Sequence, residues 1–382
     1  MPSAPPTDPT LETLLAVCAQ AVGHPALYTC LTDAVKGLRS YEGLAARAEA
    51  HGLAPLVYTH LQAADIALPP PAQDELLAYY LLHAHVSRVR GRALAEILAA
   101  FQSAGIEVLL LKGAALAYLV YPRPHLRPMR DIDLLVPAQA AARAQAVLLD
   151  LGFTEQGPPA LSTDHHLPPC ERIMEGQLVS VEVHRGLDPV YMGGPLQTFA
   201  DLASTAQTFT LHGVPAATLG REETLWHIYR HTFLNHWYYE WPRLMGVADI
   251  VSLVEAWADQ MDWDRLRHLY PAAYRILPLL DQFTPWSAKT RQRLGSVLRQ
   301  GRSTIGETLL RWPRSMHGLH DDLAWQQAVR ERLFPPALWL RLTHGYGPSR
   351  LDLGRAWLAH QHWLWSRYTR NRRFVWQQWR RR

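Results

Sequence analysis

The chain has 382 residues, of which 48% are hydrophobic and 19% charged, and its formal net charge is +4. These values are typical of a globular protein with about two or three domains. The first residues, MPSAPPTDPT, lack the basic and apolar regions of a secretory signal. No run of about 18 apolar residues is present, so a membrane span is not expected. Cys18, Cys30 and Cys170 have spacings that suit neither a disulfide framework nor a zinc cluster, so a reducing cytoplasm is the expected location.

The N-terminal part of the chain has the periodicity of helices. A helical pattern covers residues 11–60, and the three prolines of IALPPPA then interrupt it because proline cannot continue a helix. A second helical pattern covers residues 73–104, and Gly105 is a typical helix stop. We therefore expect a helical N-terminal region over residues 1–90.

The helical pattern then gives way to short strands that alternate with helices, which predicts a small α/β core over residues 91–201. IEVLLL, residues 106–111, is a short apolar run typical of a buried strand, and KGAALAYLVY predicts a tight turn into a helix. DIDLLV, residues 131–136, predicts a second strand. A helix that ends at Gly152 follows, and then a hairpin that turns at residues 175–176.

From about residue 202 onward the sequence again indicates helices, among them helices over 221–239 and 244–258. The expected fold class is therefore α+β. A small mixed-sheet core is flanked by a helical N-terminal region and by a helical C-terminal region over 202–382.

The end of the chain is basic and rich in tryptophan. No acidic residue follows Asp352, whereas eight arginines and five tryptophans do. This composition fits an amphipathic helix packed on the protein, a nucleic-acid contact through phosphates and stacked bases, or a contact with an anionic membrane surface. All three roles stay open at this point.

Acidic residues on two predicted strands form a candidate metal site. Asp131 and Asp133 share one face of their strand because side chains alternate along a strand. In VSVEVHRGL the valines form an apolar face, and Glu182 lies on the polar face. If the two strands are neighbours, three carboxylates meet and can hold two divalent ions, Mg²⁺ or alternatively Mn²⁺. We expect Asp131, Asp133 and Glu182 to bind these ions, and Glu182 can also accept the proton of an attacking hydroxyl.

A second group of residues is expected to bind phosphate. The first strand turns through Lys112 and Gly113 into a helix, whose N-terminus offers N–H groups to an anion. Lys112 is one of only three lysines among 38 basic residues, which favours an ammonium group at this position. Arg127 lies in a Pro- and Arg-rich loop and is expected to touch phosphate or to brace Asp131.

The segment LLLKGAALAYLVYPRPHLRPMRDIDLLV, residues 109–136, resembles the uncharacterised nucleotidyltransferase family of the polymerase β nucleotidyltransferase superfamily. The residues that carry the resemblance are Lys112, Gly113, Tyr121, Pro122, Arg127, Asp131 and Asp133. VEVHRGL resembles the third-carboxylate strand of the family, with Glu182 and His184. ETLWHIYRHTF and RLMGVADIVSL resemble its following helices, with His231 and Asp249 at the matching positions. The resemblance covers roughly residues 40–270 and leaves the far C-terminus outside.

The resemblance implies a metal-dependent nucleotidyltransferase that transfers a nucleoside monophosphate from an NTP, such as ATP, to an unidentified small molecule, protein or RNA. A protein- or tRNA-modifying, toxin-like enzyme is one alternative. A catalytically degenerate nucleotide-sensing or interaction module is another. The three carboxylates argue against degeneracy. Ala114 argues mildly for it, because the wider superfamily has Gly or Ser at this position.

Three further residues are expected on the acceptor side of the site or behind the carboxylates. His184 shares the polar strand face of the third carboxylate, and His231 lies on a helix expected to face the cleft. Asp249, on the next helix, is expected to pair with His231 or Arg243.

Overall fold

The computed structural model describes residues 9–157, 165–187, 197–233, 243–295 and 322–379. Within these ranges the fold is α+β, as expected, with seven strands in one mixed sheet. The strands are β1 (Leu109–Leu110), β2 (Ile132–Leu135), β3 (Thr154–Glu155), β4 (Cys170–Met174), β5 (Gln177–His184), β6 (Gln207–Leu211) and β7 (Val214–Thr218). Their order in the sheet is β3-β4-β5-β2-β1-β7-β6.

Helices precede the sheet, as the sequence predicts. In the described part they are α1 (Pro9–Val17), α2 (Pro25–Gly37), α3 (Leu44–Ala50), α4 (Ala54–Ala63) and α5 (Pro70–Ser103). Two of the three successive prolines form the first turn of α5, where a missing N–H costs nothing because no intrahelical partner exists for it. Gly105, with φ of +62°, follows the end of α5 as predicted.

The centre of the sheet is buried and apolar. The register pairs Ile132 with Val181 and Leu134 with Val183, and all four side chains are buried in one cluster with residues of α5. Two helices within this part of the chain pack on the same cluster, α6 (Lys112–Leu119) and α7 (Ala141–Asp150). The predicted hairpin is confirmed, because β4 and β5 pair around a turn at Glu175–Gly176.

The helical interpretation from residue 202 onward is wrong for residues 207–218, which form the hairpin of β6 and β7. Polar and apolar residues alternate in TFTL, residues 208–211, which is a strand period. The turn residues His212 and Gly213 both have positive φ, as a tight hairpin requires. Thr218 of β7 pairs with Leu110 of β1, so the sheet extends beyond the predicted boundary at residue 201. The division into three regions otherwise stays a prediction.

Helices make up the remaining described part of the chain. They are α8 (Phe199–Ser204), α9 (Arg221–Phe233), α10 (Leu244–Trp257), α11 (Trp263–Leu269), α12 (Pro271–Leu280), α13 (Ala288–Leu294), α14 (Asp322–Leu333), α15 (Ala337–His344) and α16 (Arg350–Trp379). The predicted helix over 221–239 is confirmed as α9 up to residue 233, and its remainder lies outside the described residues. None of the helices in the described ranges combines the length and apolarity needed to cross a membrane.

The N-terminal and C-terminal helices share one hydrophobic core. Leu14 of α1, Leu56 of α4, Leu253 of α10 and Ile276 of α12 are fully buried in the same cluster. The two helical regions that flank the sheet in sequence therefore pack together in space, and this brings α3, α5, α9 and α10 to the same cleft.

Adjacent leucines on α7 provide a test of this packing. Leu148 is 0% exposed in the sheet cluster, whereas Leu149 is 45% exposed. We expect Leu148→Ala to lower the free energy of unfolding by about 2–5 kcal/mol and Leu149→Ala by less than about 1 kcal/mol. Urea denaturation of both variants measures the difference, and equal effects would contradict the assigned face of α7.

Candidate active site

Two parallel strands bring carboxylates together. The register of β2 and β5 places Asp133 directly opposite Glu182, so the expectation that these strands are neighbours is confirmed. Laterally paired residues point to the same face of a sheet, and the flanking valines of β5 point to the buried face. Asp131 lies one residue before the start of β2. The three acids thus come from two adjoining chain segments.

His184 joins this group at the end of β5. Its Nε2 lies 2.9 Å from Oδ1 of Asp133 and 3.6 Å from Oε2 of Glu182. Ligand atoms of Asp133, Glu182 and His184 all lie within 4.8 Å of one another. This tight trio contains the predicted partner histidine, and Asp131 lies outside it. The geometry therefore makes Asp133 the centre of the site.

Lys112 supplies a positive charge from the turn between β1 and α6. Its φ is +47°, in the left-handed region that costs a non-glycine residue about 1–2 kcal/mol. In this conformation the Nζ of Lys112 lies 2.9 Å from Oδ1 of Asp133. The ion pair, which is largely buried, offsets the cost of the strained turn.

The charges of the site are strongly coupled. Burial and repulsion from Asp133 raise the pKa of Asp131 to about 6. Burial also disfavours charge on Asp133, but Lys112 and the hydrogen bond from His184 hold its pKa well below the usual range. A hydrogen bond with His184 likewise lowers the pKa of Glu182. Even with Lys112 and His184 against Asp133 and the charge of Arg127 acting on Asp131, the acids still repel one another, so a further cation among them would be bound favourably.

The donor set fits a divalent metal ion. Carboxylate oxygens are hard ligands that suit Mg²⁺ and Mn²⁺, and the trio already holds its ligand atoms close together. Asp131 lies near enough to raise the pKa of Lys112 together with Asp133. The residues present therefore match a site for one or two divalent ions.

Arg127 is held by an acid from a distant helix. Its Nη2 donates to Oδ2 of Asp249 at 2.6 Å, and its Nε donates to Oδ1 at 3.2 Å. The hydroxyl of Tyr121 donates to the same carboxylate at 2.7 Å. The structure thus gives Asp249 a partner, Arg127, that the sequence analysis did not assign to it. The positive charge of Arg127 still acts on Asp131, where it partly opposes the rise in the pKa of that carboxyl group.

Gly113 leaves room for this arginine. A Cβ atom at Gly113 would lie 2.8 Å from Cζ of Arg127 and 2.8 Å from Cγ of Met129. The next residue, Ala114, is buried in the core cluster of the sheet. Its side chain therefore faces the protein interior, and Lys112 and Gly113 are the residues of the turn that line the cavity.

A cavity of about 350 Å³ adjoins the site. Residues from the site line part of it, namely Lys112, Gly113, Arg127, Asp131 and Asp133. Residues from α3, α5, α9 and the start of α10 complete the lining, including Glu49, His83, His231, Thr232 and Arg243. Glu182 and His184 are not among the lining residues. His231 lines the cavity, and its role on the acceptor side stays a prediction.

Several residues of the site were not predicted from the sequence. His83 lies 2.8 Å from Glu49 across the cavity wall, and Arg90 of α5 donates to the carbonyl of Met129 and interacts electrostatically with Asp131. These contacts join segments at least 34 residues apart in the chain. No local period or motif marks such pairs, so only the fold identifies them.

The space at Gly113 can be tested against a second helical glycine. We expect Gly113→Ala to lower the free energy of unfolding by about 1–3 kcal/mol, because the added methyl displaces Arg127. Gly354→Ala is the matched control, since a Cβ there meets no atom within 4 Å and alanine favours a helix by up to about 1 kcal/mol. Equal changes in the two thermal melts would contradict the close approach at Gly113.

The buried ion pair gives a second prediction. Arg127→Met leaves Asp249 charged and buried, and we expect it to cost about 3–5 kcal/mol of stability. The double variant Arg127→Met, Asp249→Leu removes the orphaned charge and is expected to recover part of that loss. Chemical denaturation of the single and double variants measures the coupling. A double variant less stable than the single one would show that the pair does not act as a unit.

Comparisons with known proteins assign more than half of the chain to one family. Residues 39–272 match the family described as uncharacterised nucleotidyltransferases. Among solved structures, the chain is similar to the antibiotic-resistance factor ANT(2'')-Ia at 16% identity, with 49% of this chain and 91% of that chain covered and a TM-score of 0.34. It is also similar to an antigenic nucleotidyltransferase-like protein from Paracoccidioides brasiliensis at 14% identity, with 54% and 98% covered and a TM-score of 0.35. Likenesses of this extent imply nothing about the substrate, and no curated protein matches the sequence. Because the family match covers more than half of the chain, the protein belongs to the uncharacterised nucleotidyltransferase family.

Proposed function

We propose that this protein transfers a nucleoside monophosphate from an NTP to a hydroxyl-bearing small molecule, with Mg²⁺ or Mn²⁺ as cofactor. The observation that carries the proposal is the pairing of Asp133 with Glu182 beside Lys112, at the edge of a cavity. Acidic groups that are close enough to repel one another suit a metal ion bound together with a polyphosphate.

The residues at the turn are proposed to hold the triphosphate. Lys112 and Gly113 begin α6, so the positive end of this helix dipole and the ammonium group act on the same phosphates. Arg127 is occupied by Asp249 and is proposed to act mainly as a support for the turn, with its charge felt by Asp131. A direct contact of Arg127 with phosphate is therefore not the main role proposed for this residue.

The carboxylates are proposed to hold the metal and to take up the acceptor proton. Asp131, Asp133 and Glu182 would hold the metal ion, which supplies charge neutralisation for the phosphates and the leaving pyrophosphate. The acceptor oxygen forms a bond to the α-phosphorus, and the bond from that phosphorus to the β-bridging oxygen breaks. Asp131 is better placed than Glu182 to accept the proton, because Asp131 lines the cavity and Glu182 does not. His184 orients both Asp133 and Glu182.

The cavity favours a small acceptor. Its volume of about 350 Å³ lies at the lower end of the range for small-molecule sites. Glu49, His83, His231 and Arg243 offer polar groups at some distance in sequence from the carboxylates, and we propose that they contact the acceptor. Asp249 contributes indirectly, by fixing Arg127. The cytoplasmic location expected from the sequence is compatible with such a substrate.

Nucleotidyl transfer to cell extract tests the proposal. The protein is incubated with each α-labelled NTP, ATP first, together with Mg²⁺ and extract, and small molecules, proteins and RNA are then separated. We expect label in the small-molecule fraction, and a loss of at least about a hundredfold in Asp133→Asn because the central ligand is removed. Chelation by EDTA abolishes transfer, and added Mg²⁺ or Mn²⁺ restores it.

Asp264→Asn is the matched control, since the Asp264 side chain is 90% exposed and should leave transfer unchanged. Label on protein or on tRNA would instead support the toxin-like modification enzyme. NTP binding without transfer to any fraction would support the nucleotide-sensing module. Equal activity of Asp133→Asn and the unaltered protein would contradict the assigned site.

A further inference from the structure

The last described helix carries an exposed apolar stripe. Leu351, Leu358 and Trp365 of α16 are 65%, 63% and 67% exposed. They are spaced by seven residues, and residues at this spacing drift by only about 20° around a helix, so all three share one face. The stripe is about 21 Å long at a rise of 1.5 Å per residue.

The opposite face of α16 is the one that packs on the protein. Ala356 and His360 are fully buried, and His360 contacts the backbone oxygen of Arg332 at 2.6 Å. The helix is therefore fixed through one side, and the stripe formed by Leu351, Leu358 and Trp365 points away from this anchor.

A neighbouring segment enlarges the apolar surface. Gln361 of α16 donates to the carbonyl of Leu333 at 3.2 Å, which places the end of α14 beside the stripe. Leu333 and the next residue, Phe334, are themselves exposed, Phe334 to 66%. Large apolar side chains that gather on one surface mark an interaction site rather than isolated exposure.

The sequence from α16 onward is rich in arginine. No acid follows Asp352, and eight arginines do; the first, Arg355, has a side chain that is 58% exposed and lies 3.8 Å from Asp352. Apolar side chains on one face of a helix, with arginine and tryptophan in the same helix, are typical of segments that lie in the interface of an anionic bilayer. We propose that α16 docks the protein peripherally on an anionic lipid surface through the stripe Leu351, Leu358 and Trp365.

Other occupants fit this surface less well. Nucleic acid would use arginine and tryptophan but offers no partner for exposed Leu351, Leu358 and Phe334. A coiled coil with a second copy needs a second apolar position in each heptad, and the sequence has Gly354 and Gln361 on one side of the stripe and Arg355 and His362 on the other. Two such basic helices would also repel each other.

Vesicle co-sedimentation of the full chain tests the proposal, which is independent of the nucleotidyl transfer. We expect binding to vesicles that contain phosphatidylglycerol, weak binding to pure phosphatidylcholine vesicles, and a loss of binding at high salt. The triple variant Leu351→Ser, Leu358→Ser, Trp365→Ser should weaken binding to the anionic vesicles at least about tenfold.

A matched control replaces three exposed apolar residues elsewhere, Val22→Ser, Leu149→Ser and Ile173→Ser, and should bind as the unaltered protein does. Circular dichroism and a thermal melt confirm that both triple variants are folded. The proposal is overturned if the unaltered protein does not bind anionic vesicles, or if the stripe variant binds them equally well. Retention of RNA without vesicle binding, or dimerisation that the stripe variant abolishes without vesicle binding, would also overturn it.

Discussion

Three carboxylates that share a largely buried cleft repel one another, so the fold has to place positive charge beside them. The repulsion is visible at Asp131, whose pKa rises to about 6. Lys112 reduces this repulsion, because its left-handed backbone conformation brings the ammonium group to Asp133. His184 also reduces the repulsion, because its ring contacts both Asp133 and Glu182. A protein that needed only stability would gain by replacing this cluster with apolar residues, which is the reason to assign the cluster a chemical task.

The helices around the sheet are part of the same arrangement. Asp249 of α10 fixes Arg127, and Arg127 in turn occupies the space that a side chain at position 113 would fill. The turn at Lys112 and Gly113 is therefore held from α10. On the other side of the cavity, α3 and α5 contribute Glu49 and His83. The N-terminal and C-terminal helices that form these walls share one hydrophobic core.

The centre of the site could be predicted from the sequence because short sequence segments carry the patterns that mark its strands and its turn. Alternation along DIDLLV and VSVEVHRGL predicts which residues of β2 and β5 face the core. The register that pairs Ile132 with Val181 is supplied by the structure. The turn at Lys112 is marked by its position between a strand and a helix. The hairpin of β6 and β7 was missed although its alternation is equally local, since its short strands lie within a long helical stretch.

Partners that the fold alone selects could not be predicted. Arg127 and Asp249 are 122 residues apart, whereas the partners expected for Asp249 were nearer in sequence, namely His231 of α9 and Arg243 at the start of α10. The contact of His83 with Glu49 joins two helices whose packing depends on the shared core. The burial of Ala114 in the sheet core also depends on tertiary structure.

A crystal structure with Mn²⁺ and a non-hydrolysable NTP analogue tests the central claim most directly, because manganese is located by its anomalous scattering. We predict a manganese peak in contact with Asp131, Asp133 and Glu182, and the triphosphate against Lys112 and Gly113. A manganese peak away from Asp133, or a triphosphate bound outside the cavity, would contradict the account.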